Sequence, residues 1–405
     1  MRRLPGPIAP ASLLAGILHC LAPAGLSAQA LPAPSVADTS VAEAIARARH
    51  LLLHHMEGTG VPGVQVAVWR DGRIVWSEGL GWADAENRAP VGPETRFPVG
   101  SVSKALTAVG AVRLADRGEL DLDAPVRRYV PRVPRSYEGV TPRLLGQHLA
   151  GIRHYRGDEE PGADRHFESV DEALDLFLED SLLFEPGTRF AYSSYGFNLL
   201  SAAMEGAAGE QFLTVMEEEV FGPLGLNGTM ANEVDRLIPF RTQGYTMADG
   251  RRVEADEEDP SYKWAGGGFL STAEDLVRVG AALLEPGFLS EEGLSTLFTE
   301  ARPAGGERTH YGFGWELYRT EAGRPVRFHG GNLPYARAHL MILPEDRLVL
   351  AHLANTGTSI FFNNGEAQWL AELFLPGRAE VDSTRAAGWS GGYAFRSVEN
   401  TLAQD

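Results

Sequence analysis

Strand-like alternation sits at the two ends of this chain with helical spacing between, and that distribution constrains the fold more than any other feature. Near the start, Val64 to Trp69 and Arg73 to Gly79 alternate around Asp71-Gly72, a dipeptide suited to a tight hairpin turn. Near the end, Gly312 to Tyr318, Val326 to His329, Arg337 to Leu343 and Leu348 to His352 read as strands, and Pro344 to Asp346 turns the last pair. Residues of roughly 120–300 read as mostly helical with polar loops. Two of those loops, Arg156 to His166 and Asp249 to Pro260, are charged and read as solvated. The expectation is an α/β protein of the α+β type. It has one antiparallel sheet built from both chain ends and flanked by helices, with a mostly helical region inserted. Ala42 to Met56, Ser101 to Arg117 (with Gly118 as C-cap) and Phe361 to Leu375 are the expected flanking helices, and Arg96 to Val99 is a short strand leading into Ser101.

The ends of the chain read differently. Arg2 and Arg3 precede a mostly apolar Leu13 to Leu26, and Ala28-Gln29-Ala30 is an A-x-A cleavage site. Residues 1–30 are therefore expected to be an export signal, leaving a periplasmic or extracellular protein. Residues 31–41 form a Pro/Ala/Ser linker, 42–375 the folded domain, and 376–405 a weakly patterned tail. No later segment approaches a membrane span in length. Cys20 is the one cysteine, and cleavage would remove it, leaving no disulfide and no thiol nucleophile. Losing Arg2 and Arg3 makes the formal net charge of −18 two units more negative. That balance argues against nucleic acid or anionic membrane as a partner. No H-E-x-x-H or dense His/Asp cluster implies a metal, and no cofactor is expected.

Two lysines stand against 34 arginines, and one of them, Lys104, follows Ser101 by three residues. With 21 serines, chance would place only about 0.1 S-x-x-K matches in the chain. A lysine, unlike an arginine, loses its proton when desolvated and can serve as a base. On a helix opened by Ser101, Lys104 lies one turn on along the same face. The helix start also offers N–H groups to developing negative charge. Ser101 alone is equally readable as an ordinary N-cap serine. Two further stretches add chemistry. Tyr192-Ser193-Ser194 supplies a tyrosine that can shuttle a proton beside a lysine. His329-Gly330-Gly331 supplies a strand whose glycines permit close approach to a substrate, with His329 a donor beside it.

These three elements, in this order, resemble the penicillin-binding protein and class C β-lactamase-like serine hydrolases, with their S-x-x-K, Y-x-N and K-T-G or H-x-G motifs. The resemblance covers roughly residues 45–375. Thr141 to Tyr155 (TPRLLGQHLAGIRHY) and Ser261 to Thr272 (SYKWAGGGFLST, with the second lysine, Lys263) look similar to the mitochondrial serine β-lactamase-like branch and its bacterial relatives. It implies a β-lactamase/transpeptidase-like fold, Ser101 as the acylated nucleophile and Lys104 and Tyr192 as acid/base pair. It also implies an oxyanion hole at the backbone of Ser101 and Asn332, with Ser194, His329, Gly330 and Gly331 around the substrate. Ser194 stands where the family has asparagine, and His329 where it has lysine. Both changes weaken recognition of a β-lactam and its carboxylate, with Arg337 the residue that would compensate. The resemblance ranks a peptide or amide substrate first, an ester second, and β-lactam or D,D-peptide chemistry third. A homo-oligomer is allowed.

Other readings are weaker. Gly388-Trp389-Ser390-Gly391-Gly392 matches a G-x-S-x-G elbow, but no histidine follows it. Gly266-Gly267-Gly268 lacks nucleotide-binding spacing and reads as a tight turn near the site, followed by a capping box, Ser271 to Glu274, opening a helix from Ala273 to Leu284. The alternative from another class is a non-catalytic scaffold or filament-forming protein of the same fold. Ser101, Lys104, Tyr192 and His329 are all present, which argues for an enzyme.

Overall fold

The computed structural model describes residues 39–157, 160, 162–248, 251–256, 258–357 and 364–375. The expected export signal with Cys20, nearly all of the linker, residues 361–363 of the closing helix, and the tail with Gly388 to Gly392 lie outside them. Among the described residues no helix is long and apolar enough to cross a membrane.

Strands β1 (Gly63–Arg70), β2 (Arg73–Asp84) and β3 (Ala89–Pro90) open the domain. Five short strands follow: β4 (Phe97–Pro98), β5 (Met230–Ala231), β6 (Tyr245–Ala248), β7 (Arg251–Glu254) and β8 (Phe269–Ser271). Strands β9 (Glu316–Arg319), β10 (Pro325–Leu333), β11 (Ala336–Leu343) and β12 (Leu348–Ala354) come last. The first three and last four make one antiparallel sheet in the order β3-β2-β1-β12-β11-β10-β9. The opening and closing strands are neighbours, with Val64 opposite Ala354 and Arg70 opposite Leu348. Asp71 and Gly72 both take positive φ, at 48° and 91°, as the β1–β2 hairpin needs.

Strand periodicity then separates two layers. Val64, Val66, Val68, Phe328, Met341 and Leu350 pack beneath helix α1 (Thr39–Thr59) and the helix Asn364–Glu372. Ala67, Leu340, Ile342, Val349 and Ala351 face the helical region. In the middle of that region runs helix α2 (Val102–Asp116), buried over most of its circumference. A helix apolar all round is one that a core encloses.

Several expectations are corrected. The region 120–300 is not only helical. β8 pairs with β4 on one side and β5 on the other in a small three-stranded sheet, and β6 pairs with β7, an exposed strand inside the Asp249 to Pro260 stretch expected as a loop. The strand expected over Gly312 to Tyr318 starts only at Glu316. Gly312 N–H bonds Trp315 O at 2.7 Å, and Gly314, at φ +76°, folds the chain against α2, where a Cβ would meet Ala108 Cβ at 2.3 Å. The helix expected from Ala273 is capped by Thr272, whose Oγ1 accepts from Asp275 N–H at 3.1 Å, and ends at Ala282. Ser271 instead ends β8, with its hydroxyl on Thr229.

Gly331 joins the sheet to α2. A Cβ there would lie 1.9 Å from the carbonyl oxygen of Val99, so β10 approaches the turn into α2 backbone to backbone. Gly331→Ala is expected to cost about 2–3 kcal/mol or more, because main chain rather than a flexible side chain must give way. The thermal midpoint checks this. Gly305→Ala, whose methyl meets nothing within 4 Å, should leave it unchanged.

Candidate active site

Ser101 opens α2 at φ −63°, ψ −9°, and its side chain makes no capping bond. The ordinary N-cap reading therefore does not describe it. Its hydroxyl instead receives Lys104 Nζ at 3.1 Å. Gly100 takes φ +48° to aim the chain into the helix, and a Cβ there would sit 3.2 Å from Asn332 N and 3.3 Å from Leu333 Cγ. That contact brings the Asn332 amide beside the Ser101 turn. Pairing of β10 with β9 stops at Phe328, so the outer edge of His329 to Leu333 has no strand neighbour among the described residues.

Lys104 is fully buried. Its Nζ donates to Ser194 Oγ at 2.8 Å and to Gly266 O at 2.6 Å, besides Ser101. The three oxygens come from α2, from the start of the helix Ser194–Ala208, and from the single helical turn Trp264–Gly267, where a tight turn was expected. Thr107, one turn further along α2, bonds Ala265 O at 3.0 Å and holds that turn against α2. Gly266 itself packs on Ser194, where a Cβ would come within 3.1 Å of Ser194 O. The Tyr192 ring lies over the ammonium, its centroid 4.7 Å from Nζ. The arrangement is a buried amine touching two hydroxyls, with an aromatic face beside it. It can take a proton from a serine and return it to a leaving group.

His329 sits differently from what its position in the motif led us to expect. It is buried, with Nδ1 2.8 Å from Gly330 O and Nε2 3.0 Å from Tyr311 Oη. A carbonyl only accepts, so Nδ1 carries the hydrogen and Nε2 accepts from Tyr311. Both nitrogens are engaged inside the protein, which leaves His329 no donor for a substrate. Arg337 alternates onto the opposite face of β11 from Leu340, the partner of His329, and donates to Leu333 O at 3.1 Å. It does not face the site from His329's side.

Sequence reasoning missed the groups that hold the Tyr192 segment. His148 Nδ1 accepts the Ser193 N–H and His154 Nδ1 accepts the Ser194 N–H, both at 3.1 Å. Ser193 Oγ caps the following helix at Gly196 N–H and donates to Arg153 O. The His148 ring packs at a tilt against Tyr192 and Tyr311, with centroids 4.3 and 4.7 Å away. The signal lies in the string QHLAGIRHY, whose two histidines are able to accept backbone N–H. Burial first, then the charge of Lys104, holds His148 well below the ordinary histidine range and brings His154 and His329 down to about 3.

The match to the Beta-lactamase family spans residues 48–373, and the chain belongs to that family. Human "Serine beta-lactamase-like protein LACTB, mitochondrial" is 32% identical over 78% of this chain and 74% of its own length. Esterase EstB of Burkholderia gladioli is 29% identical over 62% of this chain and 74% of its own. The solved structure of the octameric penicillin-binding protein homologue from Pyrococcus abyssi superposes with a TM-score of 0.69 at 26% identity, over 81% of this chain and 75% of that one. The fold is thus the β-lactamase/transpeptidase-like one, in a family of serine hydrolases that includes penicillin-binding proteins and esterases.

The neutral histidines carry a pH consequence. Each binds a proton in the unfolded chain below about pH 6.5, whereas in the folded one His154 and His329 do so only at about pH 3 and His148 only well below its ordinary range, so the unfolded state binds more protons in that window. Stability is therefore present above pH 6.5 and is lost as pH falls, by up to about 1.4 kcal/mol per pH unit for each histidine. Calorimetry from pH 7.5 down to 5 should show a falling midpoint. His148→Gln, which keeps an acceptor without a titrating group, should flatten the slope, and an unchanged slope in that variant would contradict the assignment.

Proposed function

We propose that this chain is an exported serine hydrolase acting through an acyl-enzyme at Ser101, with amide or peptide bonds as its substrates. The observation that carries the reading is the contact of the buried Lys104 amine with Ser101 Oγ at 3.1 Å, at the N-terminus of α2. The Ser101 hydroxyl attacks the substrate carbonyl while its proton passes to Lys104. The carbonyl oxygen, now negative, lies between the N–H groups of Ser101 and Asn332, at the positive end of α2. Lys104 and Tyr192 deliver the proton to the leaving nitrogen as the C–N bond breaks. A water then attacks the ester carbon, loses its proton to the same pair, and the Ser101 oxygen leaves protonated.

An amide needs its leaving nitrogen protonated, and a site with both an amine and a phenol provides for that. An ester is the second reading, favoured by the similarity to EstB. β-Lactam chemistry ranks third, because His329 is turned inward and leaves no cation in the place of the family's lysine. Residues 1–30 direct export and are cleaved after Ala30, so the secreted chain should begin at Leu31 by mass.

Intact-mass measurement with a fluorophosphonate is expected to give one adduct, lost in Ser101→Ala. Lys104→Met should slow labelling about 10²-fold or more. Rates should rise from pH 5 to 9 as the Lys104–Tyr192 pair loses a proton, and a flat profile would exclude that pair as the base. Peptide amides, p-nitrophenyl esters and a chromogenic cephalosporin rank the substrates, and fast cephalosporin turnover would reverse the order given.

A further inference from the structure

His154 holds the Ser194 segment with one ring nitrogen and presents the other outward. Its Nδ1 accepts the Ser194 N–H at 3.1 Å. A ring nitrogen that accepts carries no hydrogen, and burial and the nearby Lys104 keep the ring uncharged. The one imidazole hydrogen therefore stands on Nε2. Among the described residues Nε2 has no hydrogen-bond partner, yet it reaches solvent, whereas His148 Nε2 is sealed in without one. The His154 residue is only partly buried. Its ring stands edge-on to Tyr192 at 5.6 Å, and Tyr192 lies over Lys104 Nζ. A donor is thus held beside the reacting groups in a fixed tautomer, with nothing in the described protein to receive it.

We propose that His154 is a substrate-binding residue whose Nε2–H donates to a second carbonyl of the substrate, one amide away from the bond that is cut. The favoured substrates are then N-acylated amino acid amides and peptides rather than simple acyl amides. The neighbouring side chains do not take this part. The Ser194 hydroxyl is on Lys104 at 2.8 Å and its N–H is on His154. His329 has both nitrogens engaged inside the protein. A neutral N–H suits a neutral acceptor, whereas a substrate carboxylate calls for a cation. Lys263, over the adjacent Tyr155 ring at 5.6 Å, is already paired with Glu258 at 2.5 Å. With the N–H groups of Ser101 and Asn332 given to the scissile carbonyl, a further donor from the Tyr192 side fixes the acyl portion at a second point, which holds the reacting carbon in place.

The proposal rests on the Ser101 acyl-enzyme reading, and its test keeps the two apart. The substrates compared are N-acetylalanyl p-nitroanilide and 2-methylpentanoyl p-nitroanilide, in which methylenes replace the N–H and C=O of the acetamide. The variant is His154→Asn, whose side-chain oxygen takes the place of Nδ1 and still accepts the Ser194 N–H, while nothing reaches the place of Nε2. The preference in kcat/KM for the acetylalanyl substrate over its methylene counterpart should fall about tenfold, the worth of one hydrogen bond. An unchanged ratio overturns the proposal, since a merely structural role would lower both substrates alike. Two further readouts need no turnover. Ser101→Ala protein should bind the acetylalanyl anilide about tenfold more tightly than its counterpart. In the same protein, ¹⁵N-imidazole NMR, with His154 assigned by its loss in His154→Asn, should show the proton on Nε2 and a shift of that nitrogen when the acetylalanyl anilide is added. Equal affinities, a proton on Nδ1 or an unmoved nitrogen overturns the proposal even if a fluorophosphonate labels nothing, a result that would itself overturn the acyl-enzyme reading.

Discussion

A fully buried amine is the constraint around which the site is arranged. Lys104 has no exposed surface, and a buried amine left without partners would cost several kcal/mol. It is satisfied by oxygens from three separate parts of the chain. Meeting that requirement pins α2, the helix Ser194–Ala208 and the turn at Gly266 to one another. The same contacts set Ser101 against the amine. Holding the amine and building the site are thus one structural demand.

The second demand is proximity between sheet and helical region. Gly331 and Gly100 leave out the side chains that would keep β10 from the turn into α2. Phe97 and Pro98 pair with Ser271 and Leu270, so the turn is also held from the other side by the small sheet. Ser101 therefore stands on a junction fixed by backbone contacts, which is the kind of support a reacting group needs to keep its geometry.

Histidine does structural work here. His148 and His154 each accept a backbone N–H from the Tyr192 segment, and His329 bonds its own strand and Tyr311. These roles require neutral imidazole, which burial and the nearby ammonium both favour. They also explain how His329 departs from the family's lysine. Turned inward, it supports Tyr311 and the wall of aromatic rings rather than reaching for a carboxylate.

Much of this was legible in the sequence. Val64 to Trp69 and Leu348 to His352 marked the sheet, because short, largely apolar runs bounded by turns suit central strands buried on both faces. The spacing of Ser101 and Lys104 marked one face of a helix, because helical geometry is local. The tight turn at Gly312 to Gly314 was not legible, since it exists to clear Ala108 on a helix far back in the chain. Nor were the acceptor roles of His148 and His154, or the inward turn of His329, since a ring nitrogen's partner is chosen by what packs beside it. The sequence by itself determined the periodic elements and the reactive residue types, which depend on neighbours along the chain. Only the tertiary structure decided which oxygens besides Ser101 surround Lys104 and which hydrogen bonds orient the histidines, because most of those partners lie tens of residues or more apart and meet only when the core closes.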